Sequence, residues 1–130
     1  MSASDSQARF ALFAEIFKAL GHPKRLEIIH ALRDGEHTAT ELAEAAGLSK
    51  TAVSQHLSVL KAQALVLCDK RGSYCYYRVA SQEVFSVCEG VRRMVLEQVA
   101  SFETARPYLA SLDGTRLDLD QSCTEEASNE

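Results

Sequence analysis

Several features that mark other classes of protein are missing from this chain of 130 residues. It has no Trp, two Pro and six Gly, and only 7% of its residues are aromatic. It has no run of about 18 apolar residues, the length that a membrane-spanning helix needs, and its first ten residues lack the apolar core of a signal peptide. We therefore expect a cytoplasmic protein with no membrane partner.

Sequence patterns typical of enzymes and of zinc proteins are also absent. The chain has no Gly-rich phosphate loop, no nucleophile elbow and no residue set that would orient one of its four histidines as a base. The spacing of the four cysteines matches no zinc ribbon, and cytosolic thiols are kept reduced. We expect no enzymatic activity, no required cofactor and no disulfide scaffold.

The net charge of −4 is unevenly distributed along the chain. Residues 111–130 carry six acidic residues and one arginine, a net charge of −5, whereas residues 49–79 carry five basic residues and one aspartate, a net charge of +4. A chain of this length and 46% hydrophobic content supports about one domain. We expect a flexible leader at 1–8, one domain at 9–106 and an acidic, disordered tail at 107–130.

Helical periodicity and capping signals predict four helices in the first half of the chain. Apolar residues three or four apart indicate a first helix at 8–20, and Pro23 begins a second that ends at Asp34-Gly35. Thr38 and Glu41 form a capping box for a third helix at 39–46. Gly47 then suits a left-handed turn before a fourth helix at 50–62.

A β-hairpin and a fifth helix follow. Residues 65–69 and 74–79 are rich in aliphatic and aromatic side chains and flank Lys70-Arg71-Gly72-Ser73. A two-residue turn at Arg71-Gly72 would place Cys68 directly opposite Cys75. An apolar stripe predicts the fifth helix at 81–106. The order α-α-α-α-β-β-α indicates a mainly α fold with a small β-hairpin wing, the winged helix-turn-helix.

The fourth helix and the wing carry the polar residues that a DNA-binding surface needs. Hydroxyls and lysines suit phosphates, and the Gln55 amide matches the major-groove edge of adenine. Ala52, Val53, Leu57 and Leu60 would form the buried side of that helix. The candidate DNA-contacting residues are Ser49, Lys50, Thr51, Ser54, Gln55, His56, Ser58, Lys61, Lys70, Arg71 and Ser73.

Three segments resemble the ArsR/SmtB family of metal-, metalloid- or thiol-responsive repressors. They are Leu20 to Leu26, the Ser-x-x-Ser-x-His-Leu helix within Leu48 to Leu60, and the Gly-Tyr-Tyr wing from Arg71 to Val79. The resemblance implies a homodimer paired through the first and fifth helices. It also implies binding to a palindromic operator in double-stranded DNA, and release when an inducer binds.

The sequence does not identify the inducer. The family's arsenic-type site needs cysteines in the third helix and its zinc-type site needs histidines in the fifth, and this sequence has neither. Members that sense sulfur species use a cysteine in the second helix, which is also absent. The candidate inducer residues are Cys68, Cys75, Cys88 and Cys123. Arsenic(III), a soft metal ion or an oxidant or sulfur species would suit these thiols.

Other interpretations remain for the same residues. In one, the cysteines are structural, since free cysteine is among the most often buried residue types, and the chain is a winged-helix protein without cysteine-based sensing. In the others, the fold serves as a protein-interaction module, or as an architectural DNA-binding protein with little sequence preference. Salt-dependent DNA binding would separate a DNA-binding protein from an interaction module.

Overall fold

A computed structural model describes residues 2–101 of the chain. Its elements, in chain order, are α1 (Ala3–Leu20), α2 (Pro23–Ala31), a 3-10 turn (Leu32–Asp34), β1 (His37–Thr38), α3 (Ala39–Ala46), α4 (Lys50–Ala62), β2 (Val66–Arg71), β3 (Tyr74–Val79) and α5 (Glu83–Ser101). The chain divides into two compact units, residues 1–85 and residues from 86 onward. The mainly helical fold with a small wing confirms the predicted fold class.

Helix α1 begins earlier than its apolar periodicity predicts. The Ser2 hydroxyl accepts a hydrogen bond from the Asp5 amide, and the Asp5 carboxylate accepts one from the Ser2 amide. This capping box satisfies free amides at the helix start, so Ala3 to residue 8 are helical instead of forming the expected flexible leader. The apolar side chains of Phe10 and Phe17 are 61% and 60% exposed.

Helices α3 and α4 form the predicted helix-turn-helix. Thr38 and Glu41 make the expected capping box at the start of α3. Gly47 ends α3 with a φ of 64°, a left-handed conformation that glycine adopts without steric cost. The Ser49 hydroxyl then accepts a hydrogen bond of 3.1 Å from the Ala52 amide and caps α4. Local capping therefore fixes both helices with the predicted bounds.

The core of the first unit lies between these helices and the base of the wing. Val53, Leu57 and Leu60 of α4 are at most 2% exposed, as the sequence predicts, whereas Ala52, predicted with them, is half-buried. They belong to one cluster of buried residues: Leu20, Ile28, Ile29, Leu32, Leu42, Ala43, Ala46, Val53, Leu57, Leu60, Val66, Val79 and Val84. The buried side of α4 thus orients its opposite side outward.

The wing is part of a three-stranded antiparallel sheet with strand order β1-β3-β2. The two-residue strand β1 was not predicted, because two residues carry no recognisable alternation. The predicted turn at Arg71-Gly72 is wrong: Arg71 pairs with Tyr74, so the turn residues are Gly72 and Ser73. Gly72 has a φ of 62°, which explains why the tight turn forms there.

Helix α5 starts near its predicted position. The Ser81 hydroxyl accepts a hydrogen bond of 3.1 Å from the Glu83 amide, and Val84 is buried. Further along, Val91 is 52% exposed and Met94 is 60% exposed. Residues 102–130, which include the predicted end of this helix, the acidic tail and Cys123, lie outside the described residues. Within residues 2–101, no helix is both long and apolar enough to cross a membrane.

Candidate nucleic-acid interface

One side of α4 presents polar and cationic side chains to solvent. A shallow depression on this side is lined by Lys50, Thr51, Ser54, Gln55 and Ser58, and we call this set the recognition face. All five residues are exposed. The helix is therefore divided between a buried apolar side and a polar side that contains one cation, three hydroxyls and one amide.

Two hydroxyls predicted to contact DNA already make hydrogen bonds within α4. The Ser58 hydroxyl donates a bond of 2.9 Å to the Ser54 carbonyl, and the Ser49 hydroxyl is the helix cap. Lys61, also a predicted contact, is exposed in the last turn of the same helix. The amide of Gln55 and the ammonium groups of Lys50 and Lys61 are the side chains best suited to reach outward.

His56 does not join the recognition face, although the sequence grouped it there. Its ring lies 4.5 Å from the His22 ring, centroid to centroid, and its Nδ1 lies 3.3 Å from Nη1 of Arg25. Burial lowers the pKa of His56, and the nearby His22 and Arg25 lower it further. Position 56 lies three residues after Val53 and four before Leu60, both buried, so its side chain shares their side of the helix and contacts His22 and Arg25 at the start of α2.

Two basic residues that the sequence reading missed connect the helices behind the recognition face. The guanidinium of Arg25 donates hydrogen bonds to the Lys18 and Ala19 carbonyls at the end of α1. The Lys24 ammonium donates one of 2.8 Å to the Ala46 carbonyl at the end of α3. Cations near helix C-termini satisfy free carbonyls. The carbonyls that accept these bonds lie on other helices, 6 to 22 residues away in sequence, so helical periodicity could not identify them.

The wing tip carries the other predicted DNA contacts. Lys70 and Ser73 are exposed. Arg71 forms ion pairs with Glu36 and, at 3.4 Å, with Asp69, and its guanidinium lies 4.0 Å from the centroid of the Tyr76 ring. The hydrogen bond to Glu36 raises the pKa of Arg71. Lys70 is thus directed to solvent, whereas Arg71 is held by two carboxylates and a ring.

The wing also holds two of the four cysteines. Cys68 pairs with Tyr77 and Cys75 with Lys70. The predicted direct pairing of the two cysteines is therefore wrong, and they are diagonal neighbours on adjacent strands. They still share one face of the hairpin, and the structure joins them in a disulfide with Cα atoms 6.0 Å apart. The register brings both side chains within bonding reach of each other, and the expectation that these thiols are reduced at rest stays a prediction.

The remaining cysteines do not add a metal site to the described part of the chain. Cys88 is half-buried on α5, and Cys123 lies outside the described residues. Among residues 2–101, no three His, Cys, Asp or Glu side chains are grouped so that they could hold a metal ion.

A second cluster of charge lies at the edge of the wing sheet. His37 on β1 contacts Asp34 through Nε2 at 3.0 Å and Glu41 through Nδ1 at 3.5 Å. The hydrogen bond to Asp34, more than the one to Glu41, raises the pKa of His37. In turn, His37 contributes to lowering the pKa of both carboxylates, although for Glu41 the bonds from Thr38 contribute more.

Comparisons with known proteins agree with this architecture. The profile described as "Bacterial regulatory protein, arsR family" matches residues 22–66. The HTH-type transcriptional regulator KmtR of Mycobacterium tuberculosis is 33% identical over 96 residues, which cover 74% of this chain and 68% of that protein. The transcriptional repressor SdpR of Bacillus subtilis is 36% identical over 62 residues, which cover 48% of this chain and 69% of that protein.

A solved structure shows the same fold. It is the homodimeric winged helix-turn-helix DNA-binding domain of Mb0332 from Mycobacterium bovis, described as a possible ArsR-family transcriptional regulator. It superposes with a TM-score of 0.65 at 30% identity, covering 72% of this chain and 87% of that chain. The chain therefore belongs to the ArsR family of winged helix-turn-helix transcriptional regulators.

Proposed function

We propose that this regulator is a homodimeric repressor that binds a palindromic operator and releases it when a thiol-reactive inducer reaches its cysteines. The observation that carries the proposal is the recognition face, which places Lys50 and Gln55 on the exposed side of a helix whose other side is core. In winged helix-turn-helix proteins this helix enters the major groove. The name of SdpR, a transcriptional repressor, supports repression.

The recognition face and the wing would contribute two kinds of contact, to phosphates and to base edges. Lys50, Lys61 and Lys70 neutralise phosphates, which supplies affinity for any DNA sequence. Gln55 donates to and accepts from the edge of an adenine, which supplies sequence preference. Arg71 joins the wing contacts only after leaving its carboxylate partners. His56 acts from behind the helix, through Arg25 and His22.

A second copy of the chain would cover the exposed apolar side chains of α1 and α5. Phe10, Phe13 and Phe17 follow one another along α1, and Val91 and Met94 lie on α5, all at least 45% exposed. Exposed apolar side chains in such numbers mark interaction surfaces. The Mb0332 domain is described as homodimeric, and a twofold dimer matches a palindromic operator.

The inducer would act on sulfur. Cys68 and Cys75 supply two thiols on one face of the wing, and Cys88 and Cys123 are further candidates. Thiolates prefer soft partners, so the inducer is an arsenite-like metalloid, a soft metal ion, or an oxidant or sulfur species. No other cofactor is needed for DNA binding in this proposal.

Fluorescence anisotropy of the reduced protein on DNA from its own upstream region tests the proposal. We expect binding that weakens steeply with salt, and release when arsenite or a mild thiol oxidant is added. A randomised duplex of the same length is the control for sequence preference. Binding without preference would indicate an architectural protein, and no salt-dependent binding would indicate an interaction module. Tight binding that neither arsenite nor the oxidant weakens would show that the cysteines are structural.

A further inference from the structure

The two cysteines of the wing are placed so that a disulfide forms between neighbouring strands. Cys68 lies on β2 and Cys75 on β3, seven residues apart in sequence. The Cα separation of 6.0 Å is inside the range of about 4.4 to 6.8 Å seen in natural disulfides. Both side chains are only partly buried. Small reagents can therefore reach sulfurs that are already positioned to bond to each other.

We propose that Cys68 and Cys75 form an oxidant-modified site in the wing, which reacts with hydroperoxides and lowers affinity for DNA when it becomes a disulfide. This inference rests on the proposed function and names the inducer class and its site. DNA binding requires a compartment where thiols are kept reduced, and disulfides there are mostly transient and redox-sensing. A bond in the wing of a DNA-binding protein fits that use better than a permanent structural role.

Lys70 favours Cys75 as the residue that reacts first. Lys70 is the register partner of Cys75 in the antiparallel pair, so both side chains extend from the same face of the hairpin. Side chains directly opposite each other have Cβ atoms about 4.5 to 5.5 Å apart. The ammonium group therefore attracts a thiolate at Cys75, and the thiolate is the nucleophile in thiol chemistry.

The reaction proceeds in two balanced steps. The Cys75 thiolate attacks one peroxide oxygen: an S–O bond forms, the O–O bond breaks, and the leaving alkoxide takes up the proton that the thiol lost. The Cys68 sulfur then attacks the sulfenic sulfur of Cys75, the S–S bond forms, and hydroxide leaves and departs as water with the Cys68 proton. Two thiols lose two electrons, and the hydroperoxide becomes an alcohol and water. Two molecules of a small thiol reverse the bond by exchange and become a disulfide themselves.

The disulfide lies one residue pair from the wing tip, where contacts to DNA are expected. The next pair toward the turn is Arg71 with Tyr74. In the disulfide-bonded wing of this structure, Arg71 is engaged by Glu36, Asp69 and the Tyr76 ring. The bond holds the two strands in this arrangement. The reduced hairpin can change its twist at the tip, which frees the Arg71 guanidinium for a phosphate.

The test uses the full chain with Cys88→Ser and Cys123→Ser, so that only the wing cysteines react. The protein is treated with hydrogen peroxide, remaining thiols are alkylated and counted by mass spectrometry, and anisotropy on upstream DNA gives the Kd. We expect both thiols to be lost together and the Kd to rise within the range of about 5- to 150-fold that is typical of coupled sites. Dithiothreitol should restore the original Kd.

The matched controls are Cys68→Ser and Cys75→Ser in the same background. Each should bind like the reduced parent and keep its affinity in peroxide; if either fails to fold by circular dichroism, the dithiothreitol reversal in the parent takes its place. Failure of the disulfide to form, or a disulfide that leaves the Kd unchanged or lower, overturns the inference. If the reduced protein does not bind DNA at all, the proposed function is refuted and the effect on DNA with it, whereas disulfide formation would still be established.

Discussion

Removing the Lys50 ammonium should change the salt dependence of DNA binding by a calculable amount. Each protomer presents three exposed lysines on α4 and the wing, Lys50, Lys61 and Lys70, and the reduced wing of the proposal above adds Arg71. A DNA-bound dimer would thus neutralise about eight phosphates, and at about 0.9 per contact the slope of log affinity against log salt is about −7. Lys50→Ala removes two contacts per dimer, so the slope should fall in magnitude by about 2.

The assay is anisotropy on the operator and on random DNA across a salt series. Lys50→Ala should weaken both duplexes alike, because phosphate contacts carry no sequence information. Lys18→Ala is the matched control, since it removes the same charge from a lysine whose side chain is 75% exposed on α1. An unchanged slope for Lys50→Ala, or an equal fall for Lys18→Ala, would refute the assignment of Lys50 as a phosphate contact.

Three further predictions follow from the same structure. Gln55→Ala should cost about 1 to 3 kcal/mol on the operator and little on random DNA, because it removes a base contact; equal losses on both in anisotropy would contradict this role. Leu57→Ala empties a fully buried position and should lower the free energy of unfolding by about 2 to 5 kcal/mol, measured by denaturant titration at one fixed protein concentration. His37 has its pKa raised above 6.5 by Asp34 and Glu41, so its contribution to stability is complete below about pH 6.5 and is lost as pH rises through the raised pKa. Denaturation of the wild type and His37→Gln should therefore differ most near about pH 5.5 and converge toward about pH 9, and a constant difference would refute the ion pairs as the cause.

The helix-turn-helix was predictable from sequence because its signals are local. The capping box of Thr38 and Glu41, the left-handed Gly47 and the cap at Ser49 each act within four residues. Alternation of polar and apolar residues then identifies the exposed side of α4. Local chemistry and the global fold agree along this stretch, which is the condition under which pattern reading succeeds.

Contacts between distant residues were not predictable in the same way. His56 was assigned to the DNA-facing side because its neighbour Gln55 is there, and only the tertiary approach of Arg25 and His22 shows where it lies. The predicted turn between β2 and β3 was one residue too early, because Gly72 can be the first or the second residue of a two-residue turn. The structure selects the turn with Gly72 first, which also pairs Arg71 with Tyr74.

The strand order of the sheet has a consequence for solubility. In the described part of the chain β3 is bonded on both sides, whereas β2 has β3 as its one neighbour and leaves an edge open. Unprotected edges recruit strands from other molecules, and charged side chains prevent this. Asp69, Lys70 and Arg71 form a continuous charged run on that edge. Variants meant to abolish DNA binding at the wing should therefore reverse these charges, since neutral replacements would open a path to aggregation.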